Sequence, residues 1–365
     1  MELKEHSVIA HLSHESALNL DHDFVETARA VHLRYVKDSI PGIRRIKKGN
    51  GYAYYRDAER VVEKKELIRI KSLVIPPAWT NVWICPFSNG HIQATGFDQR
   101  NRKQYRYHTR WSEVRNETKF HRLLEFGKVL PKLRCAIEID LRRKDLSAER
   151  VVATVISLME RTYIRVGSED YEKLYGSYGI TTLKDSHVKI NGSELQFSFI
   201  GKKGKEQKIT LRNKRLSRIV KQCRDIPGRE LFQYYDAEGN RNTVDSGMVN
   251  DYIKTATGDA FTAKDIRTWA GSLNLLRSLC AVGEAISTTQ CQRNVVQALN
   301  EVSNKLGNTR AVCKKYYVHP GLIRLYEENG LAEYLNALDK IEEPDLRTDL
   351  TSDEKILMRI LKKLG

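Results

Sequence analysis

The stretch GFDQRNRKQYRYHTRWSEVRNETKFHRLLEFGK, Gly96 to Lys128, contains the change in hydrophobic periodicity that decides the fold class. Up to about residue 115, side chains follow the two-residue alternation of β-strands, interrupted by a polar turn. Beyond it, apolar residues recur at the three- and four-residue spacing of an amphipathic helix. The sequence therefore predicts an α+β protein, with a sheet-rich domain over residues 1–115 and a mainly α-helical domain over residues 116–365.

The first portion has clear turn signals. The pair Asn89-Gly90 and the polar run 98–102 separate segments rich in β-branched and aromatic residues, which predicts strands joined by tight turns. One helix is predicted ahead of them, in SALNLDHDFVETARAVHLRYV, residues 16–36.

The second portion carries long helical patterns, over residues 115–134, 147–167, 216–226, 245–257, 263–283 and 288–306. Two alternating segments, residues 194–212 and 230–244, are predicted hairpins. The tip of the first is Gly201-Lys202-Lys203-Gly204-Lys205, which is basic and flanked by glycine. We expect this tip to be exposed and mobile.

Positive charge is spread along the whole chain: 62 Lys and Arg stand against 46 Asp and Glu, a net charge of +16. A polyanionic partner is indicated, with nucleic acid favoured over an anionic membrane surface. No segment approaches the roughly 20 apolar residues of a membrane span, and the first residues lack the pattern of a secretory signal. We expect no membrane association and a cytoplasmic location.

Metal and nucleotide signatures are weak. The six cysteines form no C-x-x-C pair, which argues against zinc and disulfides and favours reduced thiols. Residues 236–245, DAEGNRNTVD, have acidic residues at intervals, but their glycine comes too early for a calcium loop. No G-x-x-x-x-G-K-[ST] motif occurs. We expect neither a metal nor another cofactor.

Single candidate residues have ordinary structural explanations. Arg165 stands at the end of a predicted helix, where its charge complements the helix dipole. Arg267 is typical of a helix residue in a salt bridge, and Lys202 is typical of a solvated loop lysine. Asn308 is typical of a turn or N-cap, as is the following threonine, and His319-Pro320 is typical of a helix start.

The segment RKQYRYHTRW, residues 102–111, interleaves basic and aromatic side chains. Alternation on a strand places Tyr105 and Tyr107 on one face. That face suits contact with phosphates and bases, and it equally suits an ordinary solvated strand.

Taken together, two arginines, a lysine, an amide and a tyrosine suit phosphoryl transfer to tyrosine. Two guanidiniums can hold the non-bridging oxygens of a phosphodiester as charge develops on them. A lysine can protonate the leaving 5′-oxygen, and neighbouring cations stabilise a phenolate as it forms. In NTRAVCKKYYVHP, residues 308–320, this chemistry leaves both Tyr316 and Tyr317 open as the nucleophile.

The order and spacing of several motifs resemble the bacterial, poxvirus-like type IB DNA topoisomerases. The resemblance covers residues from about 40 to 330 and rests on IPPAW, IQATGFDQRNRKQYRYH, YIRVGSEDY with YGITTL, FIGKKGK, KDIRTW and GNTRAVCKKYYVHP. Each motif alone is weak evidence, and their common order makes the resemblance specific.

The resemblance implies five catalytic residues. Arg165 and Arg267 match the phosphate-binding pair, and Lys202 matches the lysine that protonates the leaving oxygen. Asn308 stands where the poxvirus branch has a histidine; an amide still donates a hydrogen bond but does not titrate near neutral pH, so altered pH dependence is expected. Tyr317, nine residues after Asn308 and directly before Val-His-Pro, matches the nucleophile, which leaves Tyr316 for packing or DNA contact.

Four further residues are implied at the DNA surface. Tyr105 and Tyr107 resemble the family's sheet-domain tyrosines, and Tyr171 resembles a residue near the cleavage site. Lys264 stands where related recombinases have the histidine of H-x-x-R, and it also fits a solvated helix lysine.

The family's architecture and reaction follow as expectations. Two lobes close around duplex DNA as a C-shaped clamp; Tyr317 forms a 3′-phosphotyrosyl link, the duplex swivels, and the 5′-hydroxyl reverses the link. A nucleoid-associated monomer is expected that needs neither ATP nor divalent metal, because one ester replaces another. Two alternatives remain. One is a tyrosine recombinase, although Lys264-Asp-Ile-Arg267 stands here in place of the recombinase motif H-x-x-R; the other is a catalytically inert DNA-binding module.

Overall fold

The computed structural model describes Leu20 and residues 23–99, 101–338 and 348–364. The chain forms two compact units, an N-terminal unit up to Arg122 and a C-terminal unit over Leu123–Leu364. The sequence placed the boundary at residue 115; the structure places it at 122, inside the continuous helix Thr109–Leu141. A change in periodicity marks where a secondary structure begins, and a helix that has begun can continue from one unit into the next.

The N-terminal unit is built on a six-stranded antiparallel sheet in the order β3-β2-β1-β4-β5-β6. The strands are β1 (Ile43–Lys48), β2 (Gly51–Arg56), β3 (Glu59–Arg60), β4 (Thr80–Ile84), β5 (Ile92–Phe97) and β6 (Lys103–Tyr107), and two short helices are α1 (Phe24–Ala30) and α2 (Lys64–Ser72). Ile70 of α2 packs with Ile43, Val82 and Ile84 of the sheet in a buried apolar cluster.

The predicted strands and turns around Asn89-Gly90 are confirmed. The Gly90 N–H donates to the carbonyl of Phe87 over 3.2 Å in the turn between β4 and β5. Two details of the sequence interpretation are wrong. β6 ends at Tyr107, so Arg110 and Trp111 lie on the following helix, where Trp111 is buried. Within the described residues, the helix predicted over residues 16–36 is present at Leu20 and in α1 and ends at Ala30; residues 16–19, 21 and 22 lie outside them.

The C-terminal unit is mainly helical, and its core surrounds α4 (Ala148–Thr162), most of whose residues are buried. The other helices are α3 (Thr109–Leu141), α5 (Glu169–Tyr175), α6 (Lys214–Arg224), α7 (Ser246–Thr257), α8 (Ala263–Val282), α9 (Thr288–Lys305), α10 (Arg310–Tyr316), α11 (Pro320–Glu327), α12 (Ala332–Leu338) and α13 (Ser352–Leu364). A helix buried on nearly all sides needs apolar residues all round, and VVATVISLM supplies them. All six predicted helical patterns are confirmed.

Both predicted hairpins are confirmed. β8 (Glu194–Ile200) and β9 (Glu206–Arg212) pair antiparallel, with β7 (Val188–Asn191) on the other side of β8. β10 (Gln233–Tyr235) pairs with β11 (Arg241–Thr243). The tip between β8 and β9 is a tight turn over Lys202–Gly204 in which Lys203 has a φ of 66°, and all its lysines are exposed. Across the residues that the structure describes, no helix has the length and apolarity needed to cross a membrane.

Candidate active site

Arg165 lies on an extended segment directly after α4. The helix ends because Tyr163 adopts the left-handed conformation, with φ 57° and ψ 18°, which is uncommon for a bulky residue. The backbone of this segment is bound to residues 180 and 181, since the N–H of Ile180 donates to the Arg165 carbonyl over 2.7 Å and that of Thr181 to Val166 over 2.8 Å. YGITTL of the family motif therefore holds the backbone that carries Arg165.

Glycine is required on both sides of this contact. Gly167 has a φ of +110°, and a Cβ there would lie 2.9 Å from the hydroxyl of Thr181. A Cβ on Gly179 would lie 2.5 Å from the backbone of Gly167. The two chain segments thus approach so closely that neither position accommodates a side chain.

Arg267 lies on the second turn of α8. The helix starts with a capping box in which the side chain of Thr262 binds the start of the helix and Asp265 binds back to Thr262. Arg267 is only 4% exposed. Its guanidinium donates to the carbonyl of Tyr163 and, over 2.9 Å, to that of Leu306. It therefore joins the ends of α4 and α9.

Asn308 follows the left-handed turn that ends α9, where Gly307 has a φ of +57°. Arg165 donates to the side-chain oxygen Oδ1 of Asn308 and, over 3.3 Å, to the Gly307 carbonyl. The Asn308 backbone N–H donates to Ser303 over 2.9 Å. Carbonyl groups at the end of a helix carry partial negative charge, so this turn attracts both arginines.

Two buried N–H groups at this site have no partner among the described residues: Nε of Arg267 and Nδ2 of Asn308. Within the same residues, no carboxylate forms an ion pair with Arg165 or Arg267. Burial, and secondarily the positive charge of Arg165, lowers the pKa of Arg267 to about 10. Its guanidinium stays charged at neutral pH, but without a compensating anion.

Tyr317 directly follows α10 and packs beside Arg267. The Arg267 Cζ lies 5.2 Å from the centre of the Tyr317 ring. Tyr317 is half-buried, whereas Tyr316 is 43% exposed and has Lys315 over its ring at 5.5 Å. The structure therefore shows Tyr317 beside a predicted catalytic arginine.

Two small residues of α8 position Tyr317. A Cβ on Gly271 would lie 2.9 Å from the Tyr317 carbonyl carbon, so the backbone can approach only because this residue is glycine. Ser272 Oγ donates to the Tyr317 carbonyl over 3.5 Å and accepts from the His319 N–H over 3.0 Å. Sequence reasoning missed both residues, although a Gly-Ser pair inside the strongly helical TWAGSLNLL is a signal of close packing.

Lys202 lies at the hairpin tip, beside Tyr171. Its Nζ is 5.2 Å from the centre of the Tyr171 ring, and the Tyr171 ring stacks with that of Tyr175 at 5.3 Å. The same tip reaches Asn308 through Lys205, whose Nζ donates to the Asn308 carbonyl over 3.2 Å. The structure therefore brings Arg165, Arg267, Asn308 and Tyr317 together, and pairs Lys202 with Tyr171.

The remaining predicted residues occupy exposed positions. Tyr105 and Tyr107 of β6 point to the same face and stack with ring centres 5.8 Å apart and planes 9° apart. Lys264 is exposed on the first turn of α8, three residues before Arg267. Thr309 is the N-cap of α10, and His319 is the N-cap of α11 with Pro320 at its first position, as their sequence context predicts.

Family models and relatives match most of the chain. A model described as "Eukaryotic DNA topoisomerase I, catalytic core" matches residues 104–341, and one described as "Bacterial DNA topoisomerase IB, N-terminal domain" matches residues 51–98. The chain belongs to the type IB DNA topoisomerases, which are isomerases.

The relatives agree with this assignment. DNA topoisomerase 1B of Acanthamoeba polyphaga mimivirus is 34% identical over 338 residues, covering 89% of this chain and 96% of that protein. DNA topoisomerase 1B of vaccinia virus (strain Copenhagen) is 20% identical over 243 residues, covering 66% and 74%. DNA topoisomerase I of monkeypox virus is 19% identical over the same length. The resemblance that the motifs indicated is confirmed, and the recombinase alternative is not supported.

Proposed function

We propose that this protein relaxes supercoiled duplex DNA by transient single-strand cleavage, with Tyr317 as the nucleophile. The observation that carries the proposal is a half-buried tyrosine beside a buried arginine, at a site where two buried N–H donors have no acceptor in the described part of the chain. Buried donors without acceptors are costly, and a phosphodiester supplies the missing acceptors. The site is complementary to a bound phosphate.

The two arginines bind the scissile phosphate in this proposal. Arg267 directs its Nη atoms at backbone carbonyls, which leaves Nε for a non-bridging oxygen. Arg165 is held by the Gly307 carbonyl and the Asn308 side chain at the end of α9. Negative charge builds on the phosphate during attack, and preorganised guanidiniums stabilise it more strongly than they do the ground state.

Asn308 performs the role that the poxvirus branch gives to histidine. Arg165 donates to Oδ1, and this contact orients the amide so that Nδ2 is the free donor. The donor is therefore preorganised in the way a histidine N–H would be. Because an amide carries no proton that titrates near neutral pH, position 308 adds no ionisation to the pH profile.

Lys202 protonates the leaving 5′-oxygen. In this structure its Nζ rests over Tyr171 on an exposed tip, and we propose that the tip moves toward the phosphate when DNA binds. The left-handed Lys203 and the two glycines make such a turn adaptable.

The reaction conserves the number of ester bonds. The Tyr317 hydroxyl releases its proton to solvent as its oxygen bonds to phosphorus, the bond from phosphorus to the 5′-oxygen breaks, and Lys202 gives the proton that completes the 5′-hydroxyl and is then reprotonated from solvent. The duplex swivels, and the 5′-hydroxyl then attacks the phosphotyrosine to restore the strand. Supercoiling supplies the free energy, so neither ATP nor a divalent metal is required for the chemistry.

We further propose that the two units close around duplex DNA as a clamp and that the enzyme acts as a monomer associated with the nucleoid. The N-terminal unit contributes the stacked, exposed rings of Tyr105 and Tyr107, whose edges and hydroxyls suit contact with the DNA backbone. Tyr171 and Lys264, exposed on the C-terminal unit, are proposed to contact DNA near the cleavage site.

A plasmid assay tests the proposal. Supercoiled plasmid is incubated in EDTA without ATP, with wild type, Tyr317→Phe or Tyr316→Phe. Relaxation by wild type and Tyr316→Phe, and none by Tyr317→Phe, is the expected result, together with a 3′-linked protein–DNA adduct. Activity that survives in Tyr317→Phe and disappears in Tyr316→Phe would overturn the assignment of the nucleophile.

A further inference from the structure

The short turn Lys202–Gly204 at the tip of the β8–β9 hairpin is bound at both of its ends. On the β8 side, the Tyr178 N–H donates to the Ile200 carbonyl over 2.8 Å. Across the turn, the Gly201 N–H donates to the Lys205 carbonyl, also over 2.8 Å. The part of the tip that is free to move is therefore limited to the residues between these bonds.

The two ends of the turn are attached to two sides of the proposed phosphate site. Tyr178 lies just before Ile180, whose N–H donates to the Arg165 carbonyl over 2.7 Å. At the other end, the Nζ of Lys205 donates to the Asn308 carbonyl over 3.2 Å. The turn is thus held between the segment that bears one phosphate-binding arginine and the residue that bears the amide of the site.

Strand alternation separates Lys205 from the other lysines of the hairpin. Side chains two residues apart on a strand share a face, and the series that begins at Lys205 continues with Gln207 and Ile209 of β9. Ile209 packs against the core, and a Cβ on Gly307 would lie 2.5 Å from the Oε1 of Gln207. Lys208, on the opposite face, is exposed and forms an ion pair within its own strand. Lys205 therefore continues the packed face of β9, although it lies just before the strand.

Lys205 adds a third positive charge to the site. Burial raises the pKa of the Cys313 thiol on α10 to about 11. The charges that oppose this rise are those of Arg267, Arg165 and Lys205. Like charges at one site repel one another, so electrostatics alone does not favour Lys205 in this place. Its hydrogen bond to the Asn308 carbonyl is the contact that holds it there.

We propose that Lys205 is a positioning residue for Lys202. The inference rests on the proposed role of Lys202 as the proton donor to the leaving 5′-oxygen. The Lys205 ammonium anchors the β9 side of the turn at Asn308, and the hydrogen-bonded backbone of the turn passes this position on to Lys202. When DNA binds, the turn moves about this anchor, which directs the Lys202 ammonium at the leaving oxygen. Lys205 itself transfers no proton and contacts no substrate.

A substrate with sulfur in place of the leaving 5′-oxygen isolates the proton-transfer step. The Tyr317 hydroxyl again releases its proton to solvent as its oxygen bonds to phosphorus, the phosphorus–sulfur bond breaks, and sulfur leaves as a thiolate with the bonding electrons. A thiol is a much stronger acid than an alcohol, so the thiolate needs no proton from Lys202. A defect confined to proton donation disappears with this substrate, whereas a defect in phosphate binding or in folding remains.

The measurement is single-turnover cleavage by saturating amounts of the full chain. Matched duplexes carry oxygen or sulfur at a cleavage site that is first mapped with wild type. Lys205→Met should cleave the oxygen duplex about 10- to 100-fold more slowly than wild type and the sulfur duplex within about threefold of it. Lys202→Met is the reference and should show a larger loss on oxygen that sulfur also restores.

Two further variants control for charge and packing. Lys205→Arg can still donate to a carbonyl and should stay within about threefold of wild type on both duplexes. Lys208→Met removes the same charge from the outer face of β9 and should cleave both duplexes at the wild-type rate. Duplex affinity should be equal in Lys205→Met and Lys208→Met, and melting temperatures confirm that every variant is folded.

The outcomes distinguish this inference from the proposed function. If sulfur restores Lys202→Met but not Lys205→Met, Lys202 remains the proton donor and Lys205 does not position it. If sulfur restores neither variant, the role of Lys202 is wrong and the inference fails with it. An oxygen-duplex rate for Lys205→Met equal to that of Lys208→Met would also refute the inference.

Discussion

Two arginines of the C-terminal unit are almost equally buried and yet differ in whether carboxylates surround them. Arg134 is 3% exposed and pairs with Glu160 at 3.0 Å and with Glu354 at 2.8 Å, and it also donates to the Asp349 carbonyl over 2.9 Å. Arg267 is 4% exposed; among the described residues, its guanidinium donates to two backbone carbonyls and lies beside the Tyr317 ring, with no carboxylate partner. The carboxylates raise the pKa of Arg134 against the effect of burial, whereas burial lowers that of Arg267.

The difference separates structural charge from functional charge. Arg134 is satisfied within the protein: Glu354 also accepts from Trp269 Nε1 over 3.0 Å, which ties α13 to α3 and α8. Among the residues that the structure describes, the Nε of Arg267 has no acceptor and no carboxylate pairs with its guanidinium. Burial of an arginine is thus uninformative by itself, and the absence of a carboxylate among its described partners is what points to an anionic substrate.

Removing the unpaired arginine is expected to affect activity most. Arg267→Ala should lower the plasmid relaxation rate about 10³-fold, because one preorganised donor to a developing oxyanion contributes on that scale. Its melting temperature should fall less than that of Arg134→Ala. Arg277→Ala, on the same helix and paired with Asp353, serves as the control and should retain near wild-type relaxation. Similar rates for both variants would remove Arg267 from the mechanism.

The paired arginine is expected to show the reverse behaviour. Arg134→Ala leaves two buried carboxylates without their partner and should lower the free energy of unfolding by about 3–5 kcal/mol. Urea denaturation measures this, beside Lys128→Ala, which breaks an exposed pair with Glu125 on the same helix and should cost under about 1 kcal/mol. If Arg134→Ala lowers the free energy of unfolding no more than Lys128→Ala does, the buried ion pairs of Arg134 do not stabilise the fold.

A change at Asn308 tests the donor next to Arg267. Asn308→Asp keeps the shape and the acceptor for Arg165, but replaces the free N–H with a negative charge that repels phosphate. Relaxation should slow about 10²-fold at neutral pH with little change in melting temperature. The control is Asn304→Asp, at an exposed position near the end of α9. If the effect at Asn308 is local, this change should slow relaxation less than about threefold.

Gly271 tests how closely the nucleophile must be positioned. In Gly271→Ala the new methyl group meets the Tyr317 backbone and should displace the tyrosine from Arg267. A shift near 1 Å typically costs 10²-fold in rate, so single-turnover cleavage should slow by about 10- to 100-fold. Gly247→Ala on α7, where the Cβ would meet only the Asp245 side chain, should cleave at the wild-type rate. An unchanged cleavage rate for Gly271→Ala would mean that α8 shifts to accommodate the methyl group without moving Tyr317.

The smallest effect concerns the dependence of stability on pH. Burial opposes ionisation of Glu354, but the hydrogen bond and charge of Arg134 lower its pKa to about 2 from an ordinary 4.5. A folded-state pKa below the unfolded one stabilises the protein above about pH 4.5, and this stabilisation is lost as the pH falls toward 2. The difference in unfolding free energy between wild type and Glu354→Gln should therefore shrink over that window. A difference that is constant with pH would contradict the assignment.

Local patterns in the sequence predicted local structure well. Alternation and glycine placement predicted both hairpins of the C-terminal unit, and apolar spacing predicted its six main helices. Prediction was weaker where one pattern passes into another. Arg110 and Trp111 continue a strand-like sequence, but they lie on a helix, and the burial of Trp111 on that helix stabilises the helical conformation. The unit boundary was displaced for the same reason.

The sequence by itself determined the fold class, the family and the set of five candidate residues, because periodicity and motif order are properties of the chain alone. Only the tertiary structure decided which of these residues meet. It placed Tyr317 rather than Tyr316 beside Arg267, left Nδ2 of Asn308 as the open donor, and required glycine at position 271. These outcomes depend on contacts between segments tens of residues apart, and such contacts arise from packing that no local pattern encodes.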